Sequence, residues 1–469
     1  MKARLLARDD VCRPGSCKIF VGDHPVKGRS PVSRRYLMRC VECGSVYEDD
    51  GFLLDCPVPH RPSLLRAEYA EQRFLPGSSS GLFRYGSWLP AVRREPVTAG
   101  GFTYRAERLG HELGLDDLWV AFSGYWPERG GLLETCTFKD LQASAVLARL
   151  PEGSPTLVVA SAGNTGRAFM RACSLLRVPL VLVVPDSALS ALARPVPRPE
   201  YVRLVTVAGD YGDAIDLARV IADRPGFQAE GGVRNVAHRD GLGTVLLAAA
   251  EAIGRLPDCY VQAVGSGAGA IGAYEASGRL LAAGFPAAQT GSCRGGPQML
   301  LCQNRCFAPM FDAWRSGAAT AAAKDGPAER AAIARAAAPE LTTRTPPYAV
   351  RGGVRDVLSE SGGHFATADS AETAAAQNLF QTVEGVDIEA PAGVALACLR
   401  EAAAQGRIER DATVLLHVTG GGRLRYAADH RLCPVRPTVR ARGLSHESVA
   451  DIVTSPFPTT VCASVRGPS

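Results

Sequence analysis

The chain reads as an α/β protein: a mostly parallel, doubly wound architecture with a cysteine-bearing segment in front of it. Three observations carry this. Short apolar runs rich in β-branched residues recur from about Thr156 onward, stretches with helical spacing lie between them, and glycine-rich turns join run to helix at two places. A strand wet on one face alternates apolar with polar, whereas a strand covered on both faces is apolar throughout. Regular alternation of such strands with helices gives a parallel sheet.

Taken in order, the first ~65 residues are rich in Cys, Arg, Gly and Pro and show little helical period. They form an expected N-terminal segment, residues 1–65, ribbon-like in its cysteine spacing. The strands expected after it are Thr156–Ala160, Pro179–Val184, Arg203–Val207, Tyr260–Val264 and Thr413–His417. Each is too short for a helix and too continuous for a half-wet strand. Helical patterns occupy Arg167–Leu176, Asp213–Ala222, Ala270–Ala283 and Pro391–Ala404, and the Ala-rich stretch Gly317–Ala338 is expected to be helical packing. Residues 66–430 thus form the main region. After about Arg431 the alternation fades, and Pro434, Pro437, Pro456, Pro458 and Pro468 suggest an irregular tail over 431–469.

Composition bounds the function. With 469 residues, 46% hydrophobic and 21% charged, the chain has the make-up of an ordinary globular protein of two or three domains. A net charge of +5 from scattered basic residues lacks the clustered stripe that nucleic acid requires, so no nucleic-acid partner is expected. Met1–Asp10 lacks the apolar core of a signal peptide, and no apolar run approaches the ~20 residues of a membrane span. A cytoplasmic location with no membrane partner is the expectation. Fourteen cysteines then imply free thiols and a metal site rather than a disulfide scaffold.

Four motifs carry chemistry. Lys139, in Thr137-Phe-Lys-Asp-Leu141, sits beside an aromatic residue and ahead of a helical pattern. Burial and a helix N-terminus both lower a lysine's pKa, which an amine needs before it can attack a carbonyl near neutral pH. A lone Lys-Asp would more often be a surface residue opening a helix. Second, Val158-Val-Ala-Ser161-Ala-Gly163-Asn164-Thr165-Gly166-Arg167 runs from strand into helix, where amides and the Ser161 and Thr165 hydroxyls can hold a carboxylate. By itself it is an ordinary capping turn. Third, Gly265-Ser266-Gly267-Ala268-Gly269-Ala270-Ile-Gly272 can cradle a phosphate on successive amides. Dinucleotide binding competes for this loop but requires an acidic residue about 20 positions on, and Ala282–Gln303 has none. Fourth, Thr419 ends a strand before three glycines.

Cys40-Val-Glu-Cys43-Gly is a zinc-knuckle pattern that Cys56 and His60 can complete, with Cys12 and Cys17 as alternative ligands. The absent second Cys-x-x-Cys leaves a metal-free remnant as the competing reading. Any zinc held there would be structural.

The four motifs in this order resemble the threonine synthase-like, fold type II pyridoxal-phosphate enzymes (tryptophan synthase β-like), over roughly Arg66–Arg423. The resemblance implies two doubly wound α/β domains, with a smaller, mobile subdomain at roughly 143–255, pyridoxal 5′-phosphate as cofactor, and Lys139 as the residue that holds its aldehyde. It further implies that Asn164 bonds the ring's 3′ oxygen, that Gly265–Ala270 hold its phosphate, and that Thr419 faces the pyridine nitrogen. A neutral hydroxyl there suits β-elimination and β-replacement. Glu384-Gly385 and Glu389-Ala-Pro391-Ala match a late block of the family that lies near the cofactor. Leu141 and Arg167 depart from the threonine synthase pattern. Leu64–Tyr69, Gln303-Asn304 and Phe307–Trp314 instead resemble the members that replace the phosphate of O-phospho-L-serine with sulfite to give L-cysteate. The implied partners are small molecules, a phosphorylated amino acid and sulfite, bound by Ser161, Asn164, Thr165 and Arg167, with Arg294 as a further cationic candidate; a homo-oligomer is also expected. A threonine synthase acting on O-phosphohomoserine, a phosphoserine-dependent cysteine synthase using sulfide, and an inactive interaction scaffold are the alternatives.

Overall fold

The computed structural model describes residues 34–93, 100–194, 200–289, 295–322, 326–441 and 446–457. Cys12, Cys17 and Arg294 lie outside them.

Two sheets form the main region. The larger has six strands in the order His364–Ala368, Gln298–Asn304, Cys259–Ala263, Thr413–Val418, Asp117–Phe122 and Phe102–Arg105, parallel except for the last. The smaller has five parallel strands: Phe227–Ala229, Thr156–Ala160, Leu180–Pro185, Val202–Val207 and Val439–Ala441. Alternate residues of one strand enter different cores. Tyr260 and Leu415 pack into one cluster, while Cys259, Val261, Val414 and Leu416 pack into another across the sheet. In the small sheet Val159 and Leu182 face the first cluster, and Val158, Val181 and Val183 a third. This two-sided burial is why the runs read as continuously apolar.

The expected strands and helices are present with ends shifted by three residues or fewer, as for Asn164–Leu176, Tyr211–Ala222, Ala268–Ala282 and Ala390–Ala404. Three expectations are corrected. The tail is not irregular throughout: Val439–Ala441 pairs with Val205–Val207 at the edge of the small sheet, and His446–Thr454 follows as a helix. A three-residue strand among prolines is too short to show a period. The N-terminal unit does not stop at residue 65, because Leu65–Tyr69 is a strand of its antiparallel sheet, paired with Tyr36–Cys40, whose other side pairs with Val46–Tyr47. Within Gly317–Ala338 only the eight residues Pro327–Ala334 form a described helix. The helix Val236–Ile253, at the end of the stretch read as the smaller unit, packs on Ala268–Ala282. There Gly272 lets the helices touch: a Cβ on it would collide with the Arg239 carbonyl.

The N-terminal sheet is anchored by a buried bidentate ion pair, Arg149 to Asp49 at 2.8 and 2.9 Å. Arg149 also donates to Asn235 Oδ1 at 2.9 Å, and Asn235 caps the helix Val236–Ile253 through the amide of Ala237. One buried guanidinium, fully paired as a buried charge must be, thus links three elements around the cleft described next.

Candidate active site

A cleft of about 730 Å³ opens between the two sheets, and Lys139, Asn164, the loop Gly265–Gly269 and Thr419 all line it. Lys139 begins the helix Lys139–Arg149, with Phe138 in the N-cap position. The segment before it is pinned to the end of strand Thr413–Val418, since the Phe138 amide and the Thr137 hydroxyl both donate to the Thr419 carbonyl at 3.0 and 3.2 Å. The Lys139 amine lies 4.7 Å from the centre of the Phe138 ring. Burial lowers its pKa to about 8, with Glu230 pulling the other way. Lys139 is the sole lysine among the described residues.

The glycine loop follows strand Cys259–Ala263 and starts the helix Ala268–Ala282 without any side-chain cap, which leaves its first amides open toward the cleft. Side chains are excluded by contact. A Cβ on Gly265 would stand 2.9 Å from the Glu340 carbonyl, and one on Gly269 2.6 Å from Gln262 Nε2. Gly267 has φ +83 and would meet Val354.

Across the cleft, Ser161, Asn164 and Thr165 come from the turn after strand Thr156–Ala160. Ser161 Oγ accepts from the amides of Gly163 and Gly166 at 3.0 and 2.7 Å, so it holds the turn's shape as well as lining the cleft. Asn164 Nδ2 donates to Glu389 Oε2 at 2.8 Å, while its Oδ1 is buried without a partner. Thr419 is 5% exposed and faces the same space.

Arg167 is placed differently from the expectation. It is 6% exposed and does not line the cleft; its guanidinium donates to the Thr135 carbonyl at 3.2 Å, the Ala191 carbonyl at 3.1 Å and Glu389 Oε1 at 2.5 Å. A guanidinium this buried must be paired, and Glu389 is the carboxylate in reach. Arg167 therefore buttresses Glu389 from behind instead of gripping an anion in the cleft.

A pair that sequence reading did not single out stands in the cleft wall. Glu230 follows strand Phe227–Ala229, and His238 lies one turn into the helix Val236–Ile253. Their contact, Nδ1 to Oε1, is 2.9 Å. Burial would raise the Glu230 pKa, but His238, the Gly232 amide and Lys139 hold it low, so it is ionised. Burial lowers that of His238 against the pull of Glu230. The imidazole is then neutral, donating through Nδ1, and Nε2 is left as a buried acceptor without a partner. Glu230 lies in an Ala-Glu-Gly-Gly stretch with no periodic or motif signal, and only the parallel pairing of its strand brings it to Lys139.

Cys40, Cys43, Cys56 and His60 come together with their ligand atoms all within 4.8 Å of one another. Cys43 and Cys56 sulfurs are 3.7 Å apart, and Cys40 Sγ is 3.3 Å from His60 Nε2. Tetrahedral zinc with Zn–S bonds of about 2.3 Å sets sulfurs roughly 3.8 Å apart, so the cluster has the size for it. Ser63, next to this knuckle, lines the cleft and is 3.6 Å from Cys40 Sγ.

The comparisons agree with this geometry. The family model for pyridoxal-phosphate dependent enzymes matches residues 100–420. The chain is 46% identical to a cysteate synthase of Methanoculleus marisnigri over 88% of this chain and 94% of that one. It is 40% identical to one of Methanosarcina barkeri over 87% and 97%. Among solved structures it resembles the serine racemases of Dictyostelium discoideum (TM-score 0.52, 16% identity, 69% of this chain and 92% of that one) and of maize (0.53, 14%, 69% and 88%). These likenesses show the fold.

The residues present fit the cofactor. An amine of lowered pKa, a glycine cradle closed to any Cβ and an orphaned Asn164 oxygen surround one space large enough for it. The chain is an enzyme of mixed α/β fold type II, and it belongs to the cysteate synthase family of pyridoxal-phosphate dependent enzymes.

Proposed function

We propose that the enzyme replaces the phosphate of O-phospho-L-serine with sulfite, giving L-cysteate and phosphate. The carrying observation is the relation to the cysteate synthases at 40–46% identity, joined to one cleft lined by Lys139, Ser161, Asn164, Thr165, the loop Gly265–Gly269 and Thr419, with Ala270 and Arg167 outside its lining. Lys139 would hold the cofactor's aldehyde, the amides of Gly265–Gly269 its phosphate, Asn164 its ring oxygen, and Thr419 would stand by its ring nitrogen. Bound there, pyridoxal phosphate supplies an electron sink for cleavage of bonds at the amino acid's α- and β-carbons.

The chain's own groups divide the remaining work. The turn Ser161–Thr165 offers amides and the Thr165 hydroxyl to the substrate carboxylate. Lys139, once free, takes the α-proton and later returns it, a task that suits an amine titrating near 8. The phosphate departs with the electrons of the Cβ–O bond, and a sulfite lone pair forms the Cβ–S bond. His238 Nε2 is an acceptor for the proton that bisulfite or a hydrogenphosphate ester carries, and Glu230 fixes the tautomer that leaves it so. The Cys40–His60 cluster would hold structural zinc that stiffens the wall carrying Ser63. A cytoplasmic homo-oligomer is part of this reading, on the resemblance alone.

The test is purified enzyme given O-phosphoserine with sulfite, with sulfide or with neither, and separately O-phosphohomoserine, following phosphate and product by mass. Cysteate and stoichiometric phosphate are expected. Threonine from O-phosphohomoserine, or cysteine formed faster than cysteate at equal nucleophile, overturns the proposal.

A further inference from the structure

Behind Glu389 lies a second cavity of about 200 Å³, and four arginines line it: Arg167, Arg171, Arg194 and Arg423. Glu389 bridges residues of the two spaces, accepting from Asn164 of the cleft with one oxygen and from Arg167 of the cavity with the other. Two of the four positive charges are matched, Arg167 by Glu389 and Arg171 by Glu134 at 2.8 Å. The other two are not. Arg194 Nη1 is buried with no hydrogen-bond partner. Arg423 is tied down only through its backbone amide, which donates to Asp387, and its guanidinium has no ion pair among the described residues.

A guanidinium cannot escape burial by giving up its proton, so an unmatched one costs free energy until a counter-charge arrives. Burial first, with Arg171 beside Arg194 and Arg167 beside Arg423, disfavours the charge on both, and Glu134 near Arg194 and Glu389 and Asp387 near Arg423 offset this only in part. Their planar forks suit oxyanions and accept them in bidentate fashion. Two guanidinium groups without an ion pair, facing one small cavity beside two paired ones, call for a small anionic ligand.

We propose that this cavity binds a small oxyanion of the phosphate or sulfate class, at a site separate from the catalytic cleft. Its occupant meets Arg167, which donates to the Thr135 carbonyl four residues before Lys139 and to Glu389, itself the partner of Asn164. An anion here therefore draws on the same guanidinium that holds the rear of the active site.

The experiment measures inorganic phosphate bound to the holoenzyme by equilibrium dialysis, in the wild type and in Arg194→Gln/Arg423→Gln. The wild type should hold one phosphate per chain that the double variant holds roughly ten-fold or more weakly, the effect of losing charged hydrogen-bond partners. Its melting temperature should rise with phosphate by mass action, and the variant's should rise less. Sulfate and sulfite in parallel arms show which anion binds tightest. Should the double variant not fold, tungstate soaked into wild-type crystals decides, with density expected among the four arginines. Equal phosphate binding by the two proteins, or tungstate crystals with that cavity empty, overturns the proposal.

Discussion

Titration of Lys139 tests the site most directly. Its pKa is lowered from 10.5 to about 8, and a shift of that size corresponds to about 3 kcal/mol. At pH 7.5 the free-amine fraction then rises from about 0.1% to about a quarter, a gain of more than 200-fold in the form that attacks an aldehyde. The sign for stability follows. Between about 8 and 10.5 the unfolded chain keeps a proton that the folded apoprotein has lost, so the apoprotein gains stability as pH climbs through that window. The assay mixes apoprotein with pyridoxal phosphate at a series of pH values and follows the visible absorbance, with borohydride and peptide mapping to fix the label to Lys139. The attachment rate should rise with a midpoint near 8. Glu230 holds the amine's proton by charge, so Glu230→Gln should move that midpoint down. A wild-type midpoint near 10.5, or a midpoint that moves up on Glu230→Gln, would refute the reasoning.

The other predictions concern separate parts of the site. His238→Gln should raise the KM for sulfite or for O-phosphoserine by about ten- to a hundred-fold, the cost of one hydrogen bond to a charged ligand, and leave cofactor attachment intact; unchanged KM for both removes His238 from substrate binding. Gly267→Ala places a side chain at φ +83 and into Val354, so cofactor affinity and melting temperature should both fall, by about 1–3 kcal/mol in stability; wild-type values for both mean the loop does not cradle the phosphate. Metal analysis should find one zinc per chain, lost in Cys43→Ser along with melting temperature but with the chemical step retained, and folded wild-type protein free of metal after growth with zinc would exclude it. Arg167→Ala should destabilise the fold by about 3 kcal/mol, because it strands the Glu389 carboxylate, while KM for sulfite stays within two-fold; a selective rise in that KM would return Arg167 to the anion site.

Much of this was readable from residues. The buried parallel strands announced themselves by unbroken apolar runs, and the loops Ser161–Arg167 and Gly265–Gly272 by glycines where strand turns into helix. What stayed hidden has physical causes. Glu230 and His238 lie eight positions apart on different elements, and neither belongs to a periodic pattern. Their meeting with Lys139 is set by the pairing of Phe227–Ala229 with Thr156–Val158, which no local signal encodes. Arg167 misled because its place in sequence, one residue past the turn, says nothing of the Glu389 carboxylate more than two hundred residues on. The strand Val439–Ala441 escaped because its order comes from the edge it completes rather than from its own three residues.

One geometric rule draws the scattered motifs together. In an open parallel α/β sheet, ligands lie beyond the carboxyl ends of the strands, where chain leaves strand for helix. Here Ser161 follows Thr156–Ala160, Glu230 follows Phe227–Ala229, the glycine loop follows Cys259–Ala263, and Thr419 follows Thr413–Val418. Two of these strands belong to the small sheet and two to the large, so the cleft is the place where the carboxyl edges of both sheets face each other. That arrangement explains why the residues span about 280 positions of chain, from Lys139 to Thr419, and still line one cleft. It also explains the division of roles. Under the proposed reaction the large sheet would supply the glycine loop and Thr419 to the cofactor, and the small sheet would supply Asn164 to the cofactor's ring oxygen and Thr165 and Glu230 to the substrate side. Lys139 stands at the seam, pinned through Thr137 and Phe138 to the Thr419 carbonyl and facing Glu230 opposite. The lysine can therefore serve the cofactor from one side and the substrate from the other without leaving its place.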